Sequence, residues 1–160
     1  TPRSSSAASD VYKRQQVKIS KSMRAVLRKK QFEVTFNNAF DDVVEACAKV
    51  KRFGQNGTWI TSGLMEVYST LHTQGHAHSV EVWEEGVLVG GLYGIDLGTV
   101  FCGESMFSKA NNASKVALIS LAKELKKNKY KLIDCQVPTQ HLASMGAESI
   151  PRTEFLTYLS

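Results

Sequence analysis

From Ser20 the run "SKSMRAVLRKK" sets Met23, Val26 and Leu27 on one helical face, with Lys21, Arg24, Arg28, Lys29 and Lys30 around the rest. That spacing predicts a short basic helix. "FEVTF" (Phe32–Phe36) is strand-like. Behind it, "NNAFDDVVEACAKV" repeats Phe40, Val43, Val44 and Cys47 at i, i+3, i+4 and i+7, which predicts a helix capped by a preceding Asn, with Cys47 in the core. A further helix is predicted from about Ser62, with Leu64, Val67, Tyr68 and Leu71 as its stripe and Gly75 as its stop.

The period then changes. "SVEVW" (Ser79–Trp83), "VLVGGLYG" (Val87–Gly94) and "TVFC" (Thr99–Cys102) are short apolar or alternating runs divided by the turn material "EEG" and "IDLG", the pattern of an antiparallel meander. After a polar loop, "GESMFSKANNAS", a helix built on Ala117, Leu118, Leu121, Ala122 and Leu125 leads into the strand-like "KLIDCQV". A last helix is predicted from about Pro151, with Phe155 and Leu159 facing inward. Three meander strands, a helix and a returning strand predict an α+β fold: an acetyltransferase-like (GNAT-like) mixed sheet flanked by helices.

Composition narrows this picture. A chain of 160 residues can bury one core and is short for two. Residues 1–15, "TPRSSSAASDVYKRQ", are small, polar and aperiodic, read as a non-native or disordered leader of adaptor sequence, and are excluded from the fold; residues 16–160 form the domain. The formal charge of +5 permits an anionic partner. Cys47, Cys102 and Cys135 are scattered, odd in number and flanked by apolar residues, a usage that fits a reducing cytoplasm. No apolar run approaches the roughly 18 to 20 residues of a membrane span, so a soluble, cytoplasmic protein without a membrane partner is expected.

Candidate chemistry gathers at "KLIDCQVPTQH". On a strand, Leu132, Asp134 and Gln136 share one face, while Ile133, Cys135 and Val137 share the other. Burying a carboxylate there costs several kcal/mol unless it has a partner, so Asp134 calls for an explanation and Cys135 does not. Glu104, in "FCGESMFS", leaves the third meander strand where open sheets present ligands. The simpler reading of Glu104 is an exposed loop acid. Neither Cys102 nor Cys135 has a base beside it in sequence, so neither is read as a nucleophile. His72, His76 and His78 suggest a metal, but Gly75 interrupts them and no fourth ligand is evident; none is expected. The loop after the third meander strand carries one glycine before an acid, which disfavours a coenzyme A pyrophosphate cradle.

Taken together, "GTWIT", "GHAHSVEVW", "LVGGLYG", "FCGESMFS", "NASK", "LIDCQ" and "GAESIPR", in order between about residue 17 and residue 160, resemble the leucyl/phenylalanyl-tRNA-protein transferases. The resemblance implies a GNAT-like domain that moves leucine, phenylalanine or methionine from charged tRNA to the α-amine of proteins or peptides beginning with Arg or Lys, creating a degradation signal in the N-degron pathway. It implies that Asp134 and Gln136 form the catalytic pair, with Asp134 polarising Gln136, and that Glu104 is the site acid. Leu92, Phe101, Leu121, Leu125 and Ile133 match the aminoacyl pocket, and Trp59 and Tyr68 match aromatic positions near the site. Against that family, a smaller N-terminal domain and a C-terminal tail beyond Ser160 are missing. No cofactor is expected.

Two basic runs suit tRNA, Lys18–Lys30 and Lys126–Lys131. Taken alone they read as solvated helix surface and a helix C-terminus offsetting its dipole. With the resemblance, Lys21, Arg24, Arg28, Lys29 and Lys30 become the tRNA-binding candidates. Two other functional readings stay open: an acyl-coenzyme A N-acyltransferase, and a non-catalytic fragment that binds tRNA or peptide.

Overall fold

The computed structural model describes residues 8–13, 17–50, 61–134 and 148–159. In chain order these form β1 (Ala8–Lys13), α1 (Lys21–Arg28), β2 (Glu33–Phe36), α2 (Phe40–Lys49), α3 (Ser62–Thr73), β3 (Ala77–Glu84), β4 (Val87–Asp96), β5 (Val100–Ser108), α4 (Ala113–Lys127), β6 (Leu132–Asp134), β7 (Glu148–Pro151) and α5 (Arg152–Thr157). The strands make one sheet in the order β2-β3-β4-β5-β6-β1-β7. The β3-β4-β5 meander is antiparallel, and β3 and β4 are joined by Glu85 and Gly86, both at positive φ, as a two-residue hairpin turn requires. The crossover through α4 brings β6 back parallel to β5, pairing Val100 with Leu132, Phe101 with Ile133 and Cys102 with Asp134. This is the expected α+β arrangement.

Alternation along the strands sorts the core into two faces. Under α1 and α4 lie Val80, Val82, Leu92, Phe101 and Ile133, packed with Met23, Val116, Leu118 and Leu121. On the opposite face Tyr93 and Phe107 pack with Phe40, Val43, Val44 and Cys47 of α2 and Tyr68 of α3. Val100, Cys102 and Leu132 make a smaller cluster with Phe155 and Tyr158. Thr61 caps α3 through its hydroxyl, which accepts from Leu64 N at 3.2 Å, and Gly75 at φ +85° follows the helix end.

Several expectations need correction. Residues 1–15 were excluded from the fold, yet Ala8–Lys13 form β1, hydrogen-bonded to both β6 and β7. The third meander strand does not end at Cys102: "GESMFS" continues β5 to Ser108 because β4 runs beside it as far as the Gly90–Ser108 pair. No Asn caps α2, whose N-cap is Ala39; the backbone N–H of Asn38 donates instead to the Glu81 carboxylate at 3.1 Å. Val67 and Leu159, expected to face inward, are exposed. Tyr158 takes the inward place beside Phe155.

Candidate active site

The site assembles around the last described rung of the β5–β6 ladder, where Cys102 pairs with Asp134. One residue further, β5 is irregular against β4: Gly103 faces Gly94 and Ser105 faces Tyr93, so Glu104 is the extra residue of a bulge. A bulge redirects a side chain out of the regular pleat, and such features gather beside functional sites. Glycine at position 94 permits the close approach here, since a Cβ there would strike the Cys102 carbonyl and the Phe101 ring. Glu104 is thus a mid-strand residue, not a strand-end one.

Asp134 is 4% exposed. The Cys102 thiol lies on its side of the sheet, Sγ 3.9 Å from Asp134 Oδ2 in the donor position. Burial first, and then the negative charges of Asp134 and Glu104, push that thiol from 9.0 up to about 12. Cys102 is therefore a protonated thiol at neutral pH, which is the wrong state for a nucleophile.

Glu104 is held from α3. Tyr68 Oη donates to Glu104 Oε1 at 2.7 Å, and burial followed by the carboxylate itself raises the phenol above its ordinary range. Tyr93 stands edge-on to Tyr68 at 5.0 Å and to Phe40 at 5.8 Å, and Phe40 stacks flat on His72 at 4.3 Å. Sequence reasoning passed over Tyr93, although alternation already set it opposite Leu92 as a phenol within a glycine-rich strand.

The residues matched to an aminoacyl pocket do come together, on the other face of the sheet. Leu92, Phe101, Leu121 and Ile133 are buried in one cluster, with Leu125 partly buried against it. Leu125 and Ile133 reach a surface depression shared with Val17, Ala122, Lys126 and Tyr130. Gln136, Trp59 and Cys135 lie outside the described residues. The α1 cations Lys21, Arg24 and Arg28, with Lys29 and Lys30 after them, are all exposed.

The histidines have other partners. His72 Nδ1 is 2.9 Å from Ala77 O, and His78 lies 3.3 Å from both Asn37 Oδ1 and Asp96 Oδ2. Among the described residues no group of three His, Cys, Asp or Glu side chains is placed to hold a metal, and no helix is long and apolar enough to cross a membrane.

Comparison with known proteins bears on this geometry. Among solved structures, an aminoglycoside acetyltransferase from an uncultured soil metagenomic sample, in complex with sisomicin, aligns at TM-score 0.52 and 11% identity over 82% of this chain and 89% of its own. L-PGS from Bacillus licheniformis aligns at TM-score 0.57 and 12% identity, over 86% of this chain and 49% of its own. These likenesses show the acetyltransferase-like fold. In sequence, the chain is 61% identical over 141 residues to the leucyl/phenylalanyl-tRNA–protein transferase of Flavobacterium johnsoniae, covering 88% of this chain and 66% of that protein. It is 56% identical over 145 residues to that of Syntrophobacter fumaroxidans, covering 91% and 62%. The chain thus spans 62 to 66% of the length of these relatives. The family model for leucyl/phenylalanyl-tRNA protein transferase matches residues 11–160, taking in both the bulged strand of Glu104 and the strand ending in Asp134. With that match and those identities, the chain belongs to the leucyl/phenylalanyl-tRNA protein transferase family.

Proposed function

We propose that the chain carries the aminoacyl-transfer centre of this family, moving leucine, phenylalanine or methionine from aminoacyl-tRNA to the α-amine of proteins beginning with Arg or Lys, in the cytoplasm, as the marking step of N-degron degradation. The observation that carries it is the placement of Asp134: a carboxylate 4% exposed on a strand within the sheet, beside the strand that bears Glu104. Burial of that kind costs several kcal/mol unless the charge is used by a partner, and Gln136 follows two residues on.

The aminoacyl ester is already activated, so alignment dominates, and orientation supplies up to roughly 7 to 11 kcal/mol of barrier lowering. The α-amine nitrogen attacks the ester carbonyl carbon; the new C–N bond forms and the ester C–O bond to the terminal ribose breaks. The ammonium gives up two protons, one to the departing ribose oxygen and one to solvent. Gln136, polarised by Asp134, accepts a hydrogen bond from the attacking amine, and Glu104 holds the cationic end of the acceptor. By resemblance the aminoacyl side chain is assigned to Leu92, Phe101, Leu121, Leu125 and Ile133, of which Leu125 and Ile133 reach the surface depression and the others are buried behind them, and Trp59 and Tyr68 are assigned to the same site. No thiol intermediate is involved.

The test is a single-turnover assay with radiolabelled leucyl-tRNA and a peptide beginning with arginine. Leucyl-peptide should form without coenzyme A, and Gln136→Ala should lower the rate by about 100-fold with the fold intact by circular dichroism. Product that requires an acyl-coenzyme A would make the chain an N-acyltransferase. Bound tRNA without product would make it a binding fragment.

A further inference from the structure

The Tyr68 side chain is inward-facing on α3, yet its hydroxyl is directed at a carboxylate. Glu104 Oε1 accepts from Tyr68 Oη at 2.7 Å, and among the described residues Glu104 Oε2 has no partner. The bulge that turns Glu104 out of the pleat leaves it without a partner across β4, so the phenol is what fixes the carboxylate. The ring is itself fixed: Tyr93 meets it edge-on at 5.0 Å, Phe40 meets Tyr93 at 5.8 Å, and His72, one turn after Tyr68 on the same helix, stacks on Phe40. Tyr93 is fully buried, and among the described residues its hydroxyl makes no well-formed hydrogen bond, although it interacts with the Tyr68 hydroxyl; its ring supports that of Tyr68.

We infer that Tyr68 is a positioning residue for Glu104: its hydroxyl clamps one carboxylate oxygen so that the other is presented to the cationic N-terminus of the acceptor. This differs from a direct contact between Tyr68 and substrate, and it rests on the transfer reading above. The direction of the phenol's shift agrees, since burial and the carboxylate keep the proton on Tyr68 and make it a donor throughout the working range. A hydrogen bond to a charged group is worth enough for its loss to lower a rate by about tenfold or more.

Two measurements decide the matter. In the first, Tyr68→Phe should lower kcat/KM for an arginyl peptide about tenfold and leave the KM for leucyl-tRNA unchanged, and combining it with Glu104→Gln should cause no loss beyond that of Glu104→Gln alone. Additive losses, an unchanged rate, or a raised KM for leucyl-tRNA would overturn the proposal. The second needs no activity. With ring-labelled tyrosine, the Tyr68 Cζ resonance, assigned by its absence in Tyr68→Phe, should move to a different chemical shift in Glu104→Gln, where an amide replaces the carboxylate that accepts from the phenol. A resonance insensitive to Glu104 would refute the clamp. If the wild-type chain transferred nothing while the resonance behaved as described, the transfer reading would fail and the Tyr68–Glu104 clamp would stand.

Discussion

A single thiol shows how this site depends on proton occupancy. Cys102 is 9% exposed, and burial together with Asp134 and Glu104 raises it from 9.0 to about 12. Over the interval between those values the folded chain holds a proton that the unfolded chain has released, so protonation favours the fold. That contribution is fully present below pH 9 and is lost as pH climbs through 12. Tyr130 acts in the same direction: burial, and then its 2.6 Å hydrogen bond to Asp96, raise it from 10.0 to about 12. Urea midpoints measured across pH 8 to 12 should therefore fall with rising pH. The fall should be shallower in Cys102→Ala; an equal slope would show that this thiol does not titrate with folding. The reading of Cys102 as a thiol that is no nucleophile follows from the same physics, because an apolar strand was visible in "TVFC" and burial disfavours a thiolate.

Elements here are fastened by polar groups that periodicity does not register. Glu81 is wholly buried on β3, where its carboxylate accepts from Thr35 Oγ1 at 2.6 Å, from Asn38 N at 3.1 Å and from the Ser79 hydroxyl. Trp83 Nε1 adds a hydrogen bond to Thr35 Oγ1 at 2.8 Å, so one charge joins β2, β3 and the start of α2. An anion at a helix N-terminus meets the favourable end of the dipole, which compensates for the missing side-chain cap at Ala39. Glu81→Gln keeps the shape but sets an amide donor against hydroxyl and amide donors, and should destabilise the fold by about 2 to 3 kcal/mol in thermal or urea unfolding. A change near zero would mean that this network adds no net stability to the fold. The sequence showed the helix stripes and the meander because Phe40, Val43, Val44 and Cys47, or Val80 and Val82, repeat at regular spacing. It did not show β5 beyond Cys102, because Gly103 and Glu104 look like loop residues until β4 is seen beside them. Nor could it show that the extra residue of a bulge aims Glu104 at Tyr68, a contact between residues 36 positions apart. The Asp134 strand was legible by alternation, and Leu132 and Asp134 do share the face of Cys102. Strand β1 was illegible for the opposite reason: its composition resembles a leader, and only pairing with β6 and β7 makes it a strand.

At the scale of the molecule, among the described residues, the exposed cations of α1 and the exposed acids of α2 lie on opposite faces of the sheet. Helix α1 packs with α4 on one face, through Met23, Val26 and Leu27, and leaves Lys21, Arg24, Arg28, Lys29 and Lys30 exposed, none with an acidic partner among the described residues. Lys126, Lys129 and Lys131 are exposed near the end of α4, on the same side. The opposite face carries α2, with Asp41, Asp42 and Glu45 exposed and Lys49 offset by Glu45 at 4.0 Å. Exposed cations of this kind would attract a polyanion to α1, and the exposed acids of α2 would not. The depression at Leu125 and Ile133 opens on that cationic side, next to Lys126, so a charged RNA and its aminoacyl end would meet the same surface. If the five cations of α1 and the two residues after it contact phosphates, each contact removed should take roughly 0.7 to 0.9 from the slope of log K against log salt. Arg24→Gln, Arg28→Gln and Lys29→Gln together should then flatten that slope by about 2 to 3 in filter binding of leucyl-tRNA between 50 and 200 mM salt. Lys49→Gln, on the far face, should leave it unaltered. Equal slopes for the triple variant and the wild type would move the RNA off α1, leaving the α4 lysines as the next surface to neutralise.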